Sequence, residues 1–149
     1  MQQMFRGNYP ARVDEKGRLK IPADLKRLVD EKYGNQFYIT SRDGRVAEVY
    51  PLEEWQRVEE KLAKVGSFNE AKKKFLAQTN YWGQVVEIDS QGRVLLPQML
   101  RENADLKSEV AVVGNLLYLE VRNMESYRKQ VQESQLTSED AKVLDELGI

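Results

Sequence analysis

Two arginines in this chain occupy matching positions of a repeated Asp-x-x-Gly-Arg pattern. The two copies lie seventy-five residues apart and consist of Asp14, Gly17 and Arg18 and of Asp89, Gly92 and Arg93. A guanidinium group offers a planar fork of donors that suits phosphate or guanine. The alternative is an ion pair with the preceding aspartate, but an exposed pair is worth only about 0–1 kcal/mol and would not require arginine in both copies. We therefore predict that both arginines contact nucleic acid.

The residues around each arginine predict a hairpin turn, a short strand and a short helix. The aspartate can accept hydrogen bonds from backbone amides two or three residues on, and the glycine supplies the positive φ of a tight turn. Apolar residues then alternate, which buries one side of a strand; they are Leu19, Ile21, Val94 and Leu96. Proline ends each strand and opens a helix at its first position, at Pro22 and Pro97. Asp14, Gly17, Asp89 and Gly92 are thus predicted to structure the turns.

Basic residues add to the first copy of the pattern but not to the second. Lys16 and Lys20 stand where the second copy has Gln91 and Leu95, whereas Lys26 matches Arg101. Residues 1–45 carry ten Lys or Arg against six Asp or Glu, although the net charge of the chain is −1. This distribution is compatible with a local DNA-facing patch and also with ordinary solvated surface. We predict that Lys16, Lys20 and Arg6 join the two arginines in contacting DNA.

The composition argues against an enzyme. Histidine and cysteine do not occur in the chain, so Ser-His-Asp and Cys-His arrangements and histidine-ligated metal sites are excluded. Phosphate-binding glycine patterns are missing too, and the acidic pairs fit solvated helix faces. We expect no catalysis, no cofactor, no metal and no small-molecule substrate. Because the sequence shows no signal peptide and no stretch able to span a bilayer, we expect a cytoplasmic, nucleoid-associated protein without a membrane partner.

The rest of the sequence predicts a mixed α+β protein of two similar halves. Apolar periodicity, proline and glycine place helices at 22–31, 51–65, 67–79 and 124–133 and after Thr137, and strands at 36–40, 46–50, 84–88, 110–113 and 116–121. The third helix is predicted to begin with a Ser67/Glu70 capping box, and the last two strands to turn at Gly114-Asn115 and to be buried on both faces. The predicted units are 5–79, 80–136 and the C-terminal helix 137–149.

From Met4 to about Leu147 the chain resembles the MraZ family of bacterial transcription regulators, within the AbrB/SpoVT-like swapped-hairpin superfamily. The resemblance rests on Met4-Phe5-Arg6-Gly7-x-Tyr9, on Asp14-x-Lys16-Gly17-Arg18 followed by Pro22, and on Asp89-x-x-Gly92-Arg93 followed by Pro97. It implies tandem repeats that form one pseudo-dimeric β-barrel with flanking helices, assembly into rings of roughly eight subunits, and arginines that meet DNA. Ala11 stands where many relatives have histidine.

The resemblance further implies a sequence-specific regulator that acts on the promoter of its own division and cell-wall cluster through repeated short boxes. Two alternatives stay open: a MazE-like antitoxin, which resembles one repeat and normally carries a disordered toxin-binding tail, and a ring scaffold that does not bind DNA. The helical tail predicted from Thr137 argues against the antitoxin.

Overall fold

The computed structural model describes residues 4–149, which form eight strands and six helices. In chain order these are β1 Asn8–Arg12, β2 Arg18–Lys20, α1 Ala23–Lys32, β3 Gln36–Thr40, β4 Ala47–Pro51, α2 Leu52–Ala63, α3 Glu70–Tyr81, β5 Gln84–Glu87, β6 Arg93–Leu95, α4 Gln98–Asn103, β7 Glu109–Asn115, β8 Tyr118–Asn123, α5 Met124–Glu133 and α6 Ser138–Glu146. The order of elements in the first repeat, β1 to α3, recurs in the second, β5 to α6.

The two repeats exchange their first strands. A six-stranded antiparallel sheet has the order β1-β7-β8-β4-β3-β5, and β2 pairs with β6 in a separate two-stranded ribbon. Strand β1 therefore completes the second repeat, and β5 completes the first. The ribbon contacts both edges of the sheet, since β2 touches β1 and β6 touches β5. This arrangement confirms the α+β class and the tandem swapped-hairpin architecture.

One hydrophobic core serves both repeats. The side chains that alternate along the ribbon, Leu19, Ile21, Val94 and Leu96, are at most 1% exposed, as the sequence predicts. They belong to the same cluster as Phe37 on β3 and residues of β7. The opposite face of the ribbon is left outside this core.

The first four helices start one to three residues later than predicted, whereas α5 starts at Met124 and α6 is capped at Thr137 as predicted. Pro22 and Pro97 end their strands but stand one residue before α1 and α4, at the N-cap. The Ser67/Glu70 capping box is wrong: the N-cap of α3 is Asn69, whose Oδ1 accepts from the Lys72 N–H at 3.0 Å. A turn closed by the Asn69 N–H on the Gly66 carbonyl takes up the residues in between. The capping box of α6, between Thr137 and Asp140, is present.

The hairpin of the second repeat turns at Leu116-Leu117, not at Gly114-Asn115. Gly114 stays within β7 because the backbone of the N-terminal segment crosses it: a Cβ there would lie 2.3 Å from the Arg6 nitrogen. The expectation that this hairpin is buried on both faces holds for residues 110–112 of β7, which are fully buried, but not for β8. It is β4 that is buried along its whole length, with Tyr50 packed against Trp55 of α2 at 5.0 Å between ring centroids.

Candidate nucleic-acid interface

The two Asp-x-x-Gly-Arg turns have the same geometry. In the first, Asp14 Oδ1 accepts hydrogen bonds from the amides of Lys16 at 3.0 Å and Arg18 at 2.8 Å. Gly17 has a φ of +86° and donates its N–H to the Asp14 carbonyl at 2.9 Å. The amides bound by the carboxylate are thus those two and four residues on, because the glycine N–H is used by the backbone carbonyl.

The second turn repeats each of these contacts. Asp89 Oδ1 accepts from the amides of Gln91 and Arg93, both at 2.9 Å, and Gly92 has a φ of +78°. The hydrogen bond from the arginine amide is the main cause that lowers the pKa of each aspartate, Asp14 and Asp89, below its ordinary value of 3.8. Both carboxylates are therefore ionised at neutral pH and keep their turns closed.

Each arginine is held by its aspartate through one nitrogen only. Arg18 Nε lies 2.7 Å from Asp14 Oδ2, and Arg93 Nε lies 2.9 Å from Asp89 Oδ2. The ion pair considered as an alternative does form. Within residues 4–149, however, the Nη groups of these arginines make no hydrogen bond. The pair fixes the direction of the guanidinium while its outer donors stay available, so bracing the turn and binding a ligand are compatible roles.

The ribbon gathers the predicted site residues on one surface. Its register pairs Arg18 with Leu95, Leu19 with Val94, and Lys20 with Arg93. Because Leu19 and Val94 point into the core, strand alternation sends the other members outward. We call this outward surface the ribbon face; it consists of Arg18, Lys20, Arg93 and Leu95.

Charge on the ribbon face is unequal between its two strands. Strand β2 contributes Arg18 and Lys20, whereas β6 contributes Arg93 and the 52% exposed Leu95. Lys16 is exposed in the turn before β2. Directly opposed side chains in an antiparallel pair have Cβ atoms roughly 5 Å apart, so the Lys20 and Arg93 side chains lie next to each other.

Arg6 is a predicted contact that lies away from the ribbon face, whereas Lys16 lies in the turn that leads into it. It precedes β1, beside Gly114, whereas the Asp14 turn follows the other end of β1. Five residues of extended strand separate those ends, roughly 16 Å at 3.3 Å a residue.

Two further basic residues reach the turns from the opposite repeat. The Arg101 side chain of α4 lies over Gly17 and its Nη1 donates to the Lys16 carbonyl at 3.4 Å. Lys26 of α1 lies over Gly92, with its Cδ 3.0 Å from where a Cβ would stand. Sequence reasoning assigned these residues no role, although their matching positions in the two repeats were a usable signal.

The described residues hold no cluster of three or more side chains able to ligate a metal ion. Between Met4 and Ile149, none of the helices combines the length and the apolar character that crossing a membrane requires.

The family profile and the relatives that match this chain carry the same name. A family profile described as "MraZ protein, putative antitoxin-like" matches residues 4–78 and 83–146. A protein of Acidobacterium capsulatum named "Transcriptional regulator MraZ" is 58% identical over 146 residues, covering 98% of this chain and 100% of the relative. Proteins of the same name from Koribacter versatilis and Caldicellulosiruptor saccharolyticus are 54% and 33% identical over 147 residues, each covering 98% of this chain and 100% of the relative.

Proposed function

This chain belongs to the MraZ family, and from that membership we propose that it regulates transcription by binding double-stranded DNA in a sequence-specific manner. The relatives named above are called transcriptional regulators, which supports regulation and a non-enzymatic role. Because a regulator of this kind acts on chromosomal DNA, we propose that the protein is located in the cytoplasm, at the nucleoid.

The ribbon face is the observation that carries this proposal. It is the outer side of a two-stranded antiparallel ribbon whose inner side is anchored in the core. The major groove of B-form DNA is wide enough to admit such a ribbon. Arg18 and Arg93 present free Nη donors there, and bidentate binding of guanine by arginine is the commonest specific base contact.

The two lysines and Leu95 have different proposed roles: the lysines position the protein on DNA, and Leu95 contributes to reading the sequence. Lys16 and Lys20 suit phosphate oxygens, which fix register without reading bases. Leu95 suits a thymine methyl group, the apolar feature of the major groove. Since the lysines belong to the first repeat, its half of the ribbon makes more of the phosphate contact. Arg6, at the far end of β1, is outside this proposed contact.

We further propose that the protein acts as a closed ring of roughly eight subunits. Several ribbon faces then point the same way, and weak single contacts combine through effective concentration. This favours an operator made of short repeated boxes in the promoter of the protein's own division and cell-wall cluster. A near-neutral chain can bind tightly in this way.

The family description includes the words "antitoxin-like", which is an argument for the antitoxin alternative. Against it stands α6, a capped helix where an antitoxin would carry a disordered toxin-binding segment. A ring scaffold without DNA is the other alternative.

DNA binding separates the proposed function from the two alternatives. Fluorescence anisotropy with a labelled duplex from the upstream region of the protein's own gene should show saturable binding that weakens with salt, while a scrambled duplex of equal length binds less tightly. Equal affinity for both duplexes would remove sequence specificity, and no binding at low salt would favour the scaffold or the antitoxin.

A further inference from the structure

A groove of about 620 Å³ lies on the side of the protein where α2 approaches the β7–β8 turn. Its apolar surface comes from both repeats and from the N-terminal segment, namely Met4, Tyr50, Val58, Leu116, Leu117 and Tyr118. We call it the α2 groove. Apolar concave surfaces of this kind are typical of sites that bind another molecule.

The turn that forms one wall of the α2 groove is built in an unusual way. Leu116 and Leu117 are 58% and 38% exposed, and Leu116 has a φ of +64°. Two-residue hairpin turns normally use glycine, asparagine or aspartate where φ is positive, because a side chain is strained there. The strained backbone is held by paired hydrogen bonds with Phe5, of 2.8 and 3.0 Å. The fold therefore keeps two leucines exposed on a rigid turn.

The equivalent position of the other repeat shows that the fold does not require an apolar groove. There, α5 takes the place of α2, and the β3–β4 turn takes the place of the leucine turn. The groove between them, about 350 Å³, is lined mainly by polar side chains such as Asp43, Arg45 and Gln130. The apolar character of the α2 groove is thus not repeated at its counterpart, as expected for a contact between unlike surfaces.

An apolar stripe of matching kind lies on α6. Val143 and Leu147 are 56% and 67% exposed, and Leu144 shares their side of the helix. The counterpart of α6 in the first repeat is α3, which packs Phe75 against Trp55 with ring centroids 6.1 Å apart. Among residues 4–149, α6 takes part in no aromatic packing of this kind, and its exposed stripe is available to a partner.

The charges of the two surfaces are opposite. Five charged side chains line the α2 groove: Glu54 and Arg57 pair with each other at 2.7 Å, and Lys61 and Lys64, which form no ion pair with the described residues, outnumber Glu60. Helix α6 carries Glu139, Asp140, Asp145 and Glu146 against a single Lys142. An acidic helix with an apolar stripe is the partner that an apolar groove with a basic rim fits, by the helix-in-groove mode of recognition.

We propose that α6 of one copy of this chain docks in the α2 groove of a second copy. The proposal rests on the oligomer in the proposed function and names the contact that builds it. Groove and helix are different surfaces of the same chain, so each subunit offers one of each. Such head-to-tail contacts close into a ring when the rotation between neighbours allows it.

Cross-linking tests the contact directly, because the chain contains no cysteine. A Leu117→Cys copy and a differently tagged Leu147→Cys copy are mixed and treated with a short thiol cross-linker. We expect linked pairs that contain both tags, and a much lower yield when Lys142→Cys, on the polar side of α6, replaces Leu147→Cys. Equal yields from the two partners, or a link that forms only within a chain carrying both cysteines, would overturn the proposal.

Size measurements supply a second readout. Light scattering across a dilution series should show that Leu144→Ala/Leu147→Ala weakens assembly at least about tenfold, whereas Lys142→Ala, on the polar side of α6, changes it little. Circular dichroism verifies that both variants keep their helices. Wild-type protein that stays the size of one subunit would overturn the ring and this contact together. An oligomer unchanged by Leu144→Ala/Leu147→Ala would overturn the contact alone and leave DNA binding and the ring standing.

Discussion

The guanidinium of Arg101 lies directly over Gly17, although the two residues belong to different repeats. A Cβ at Gly17 would stand 1.2 Å from Arg101 Nη1, closer than any two atoms can approach without a bond. On the other side of the ribbon, Lys26 lies over Gly92 in the same way, with its Cδ at 3.0 Å. Each Asp-x-x-Gly-Arg turn is therefore covered by a basic side chain of the opposite repeat.

Replacing Gly17 by alanine should lower the free energy of unfolding by roughly 1–2 kcal/mol, the cost of a left-handed backbone in a residue with a Cβ. Arg101 can swing away at little cost because the clash involves the end of its side chain. Gly66→Ala is the control, since its Cβ would meet nothing within 4 Å. Urea unfolding at one fixed protein concentration measures both. Equal stability of the two variants would mean that the positive φ at Gly17 is not needed.

Sequence patterns predicted those parts of the fold that are determined by interactions between residues close together in the chain. The turn positions of Asp14 and Asp89, the buried alternation after each arginine and the capped helix at Thr137 depend on neighbours in sequence. The leucine turn was missed because Gly114 is a glycine for another reason, the close passage of Arg6. The roles of Lys26 and Arg101 depend on how the repeats interleave, which no local pattern contains. The sequence likewise predicted Arg18, Lys20 and Arg93 as candidate contacts, but it did not show that they share one surface.

Arg18→Ala should weaken DNA binding by about 10- to 100-fold, the loss expected for one bidentate base contact of roughly 1–3 kcal/mol. Arg93→Ala should cost less, because Lys20 lies opposite Arg93 and still offers a cation there. Anisotropy at fixed salt measures both. Arg128→Ala, which removes an exposed arginine of α5 paired to Glu125, is the matched control. Wild-type affinity in Arg18→Ala/Arg93→Ala with assembly intact would reduce both arginines to braces of their turns.

Lys16→Ala should change the salt dependence of binding more than its specificity. Removing one lysine–phosphate interaction reduces the slope of log affinity against log salt by roughly one. The preference for the specific duplex over the scrambled one should stay close to that of the wild type. A salt series on the two duplexes measures slope and preference together. A vanished preference with an unchanged slope would assign Lys16 to base recognition.

Acid should loosen the two turns together. Since the pKa values of Asp14 and Asp89 in the folded protein lie below the ordinary 3.8, their contribution to stability is present above that pH. It is lost as the pH falls through the lowered values, because a neutral carboxyl accepts the backbone amides less strongly than a carboxylate. Melting temperature should thus fall less steeply below about pH 4 in Asp14→Asn/Asp89→Asn than in the wild type. If the melting temperatures of the variant and the wild type fall equally with pH, other carboxylates dominate acid unfolding.

Neither half of the chain should fold as a monomer by itself. Without the second repeat, β1 loses its partner β7, β3 loses β5, and one side of the ribbon is missing. Core residues such as Phe37 and Leu19, which are fully buried in the intact chain, would then meet water. Residues 1–79 expressed alone should show no cooperative melt as a monomer, and mixing them with residues 80–149 should restore one. A dimer of residues 1–79 fits the shared core, because a second copy can supply the swapped strand. A monomeric fragment with a cooperative transition would show that the first repeat has a core of its own.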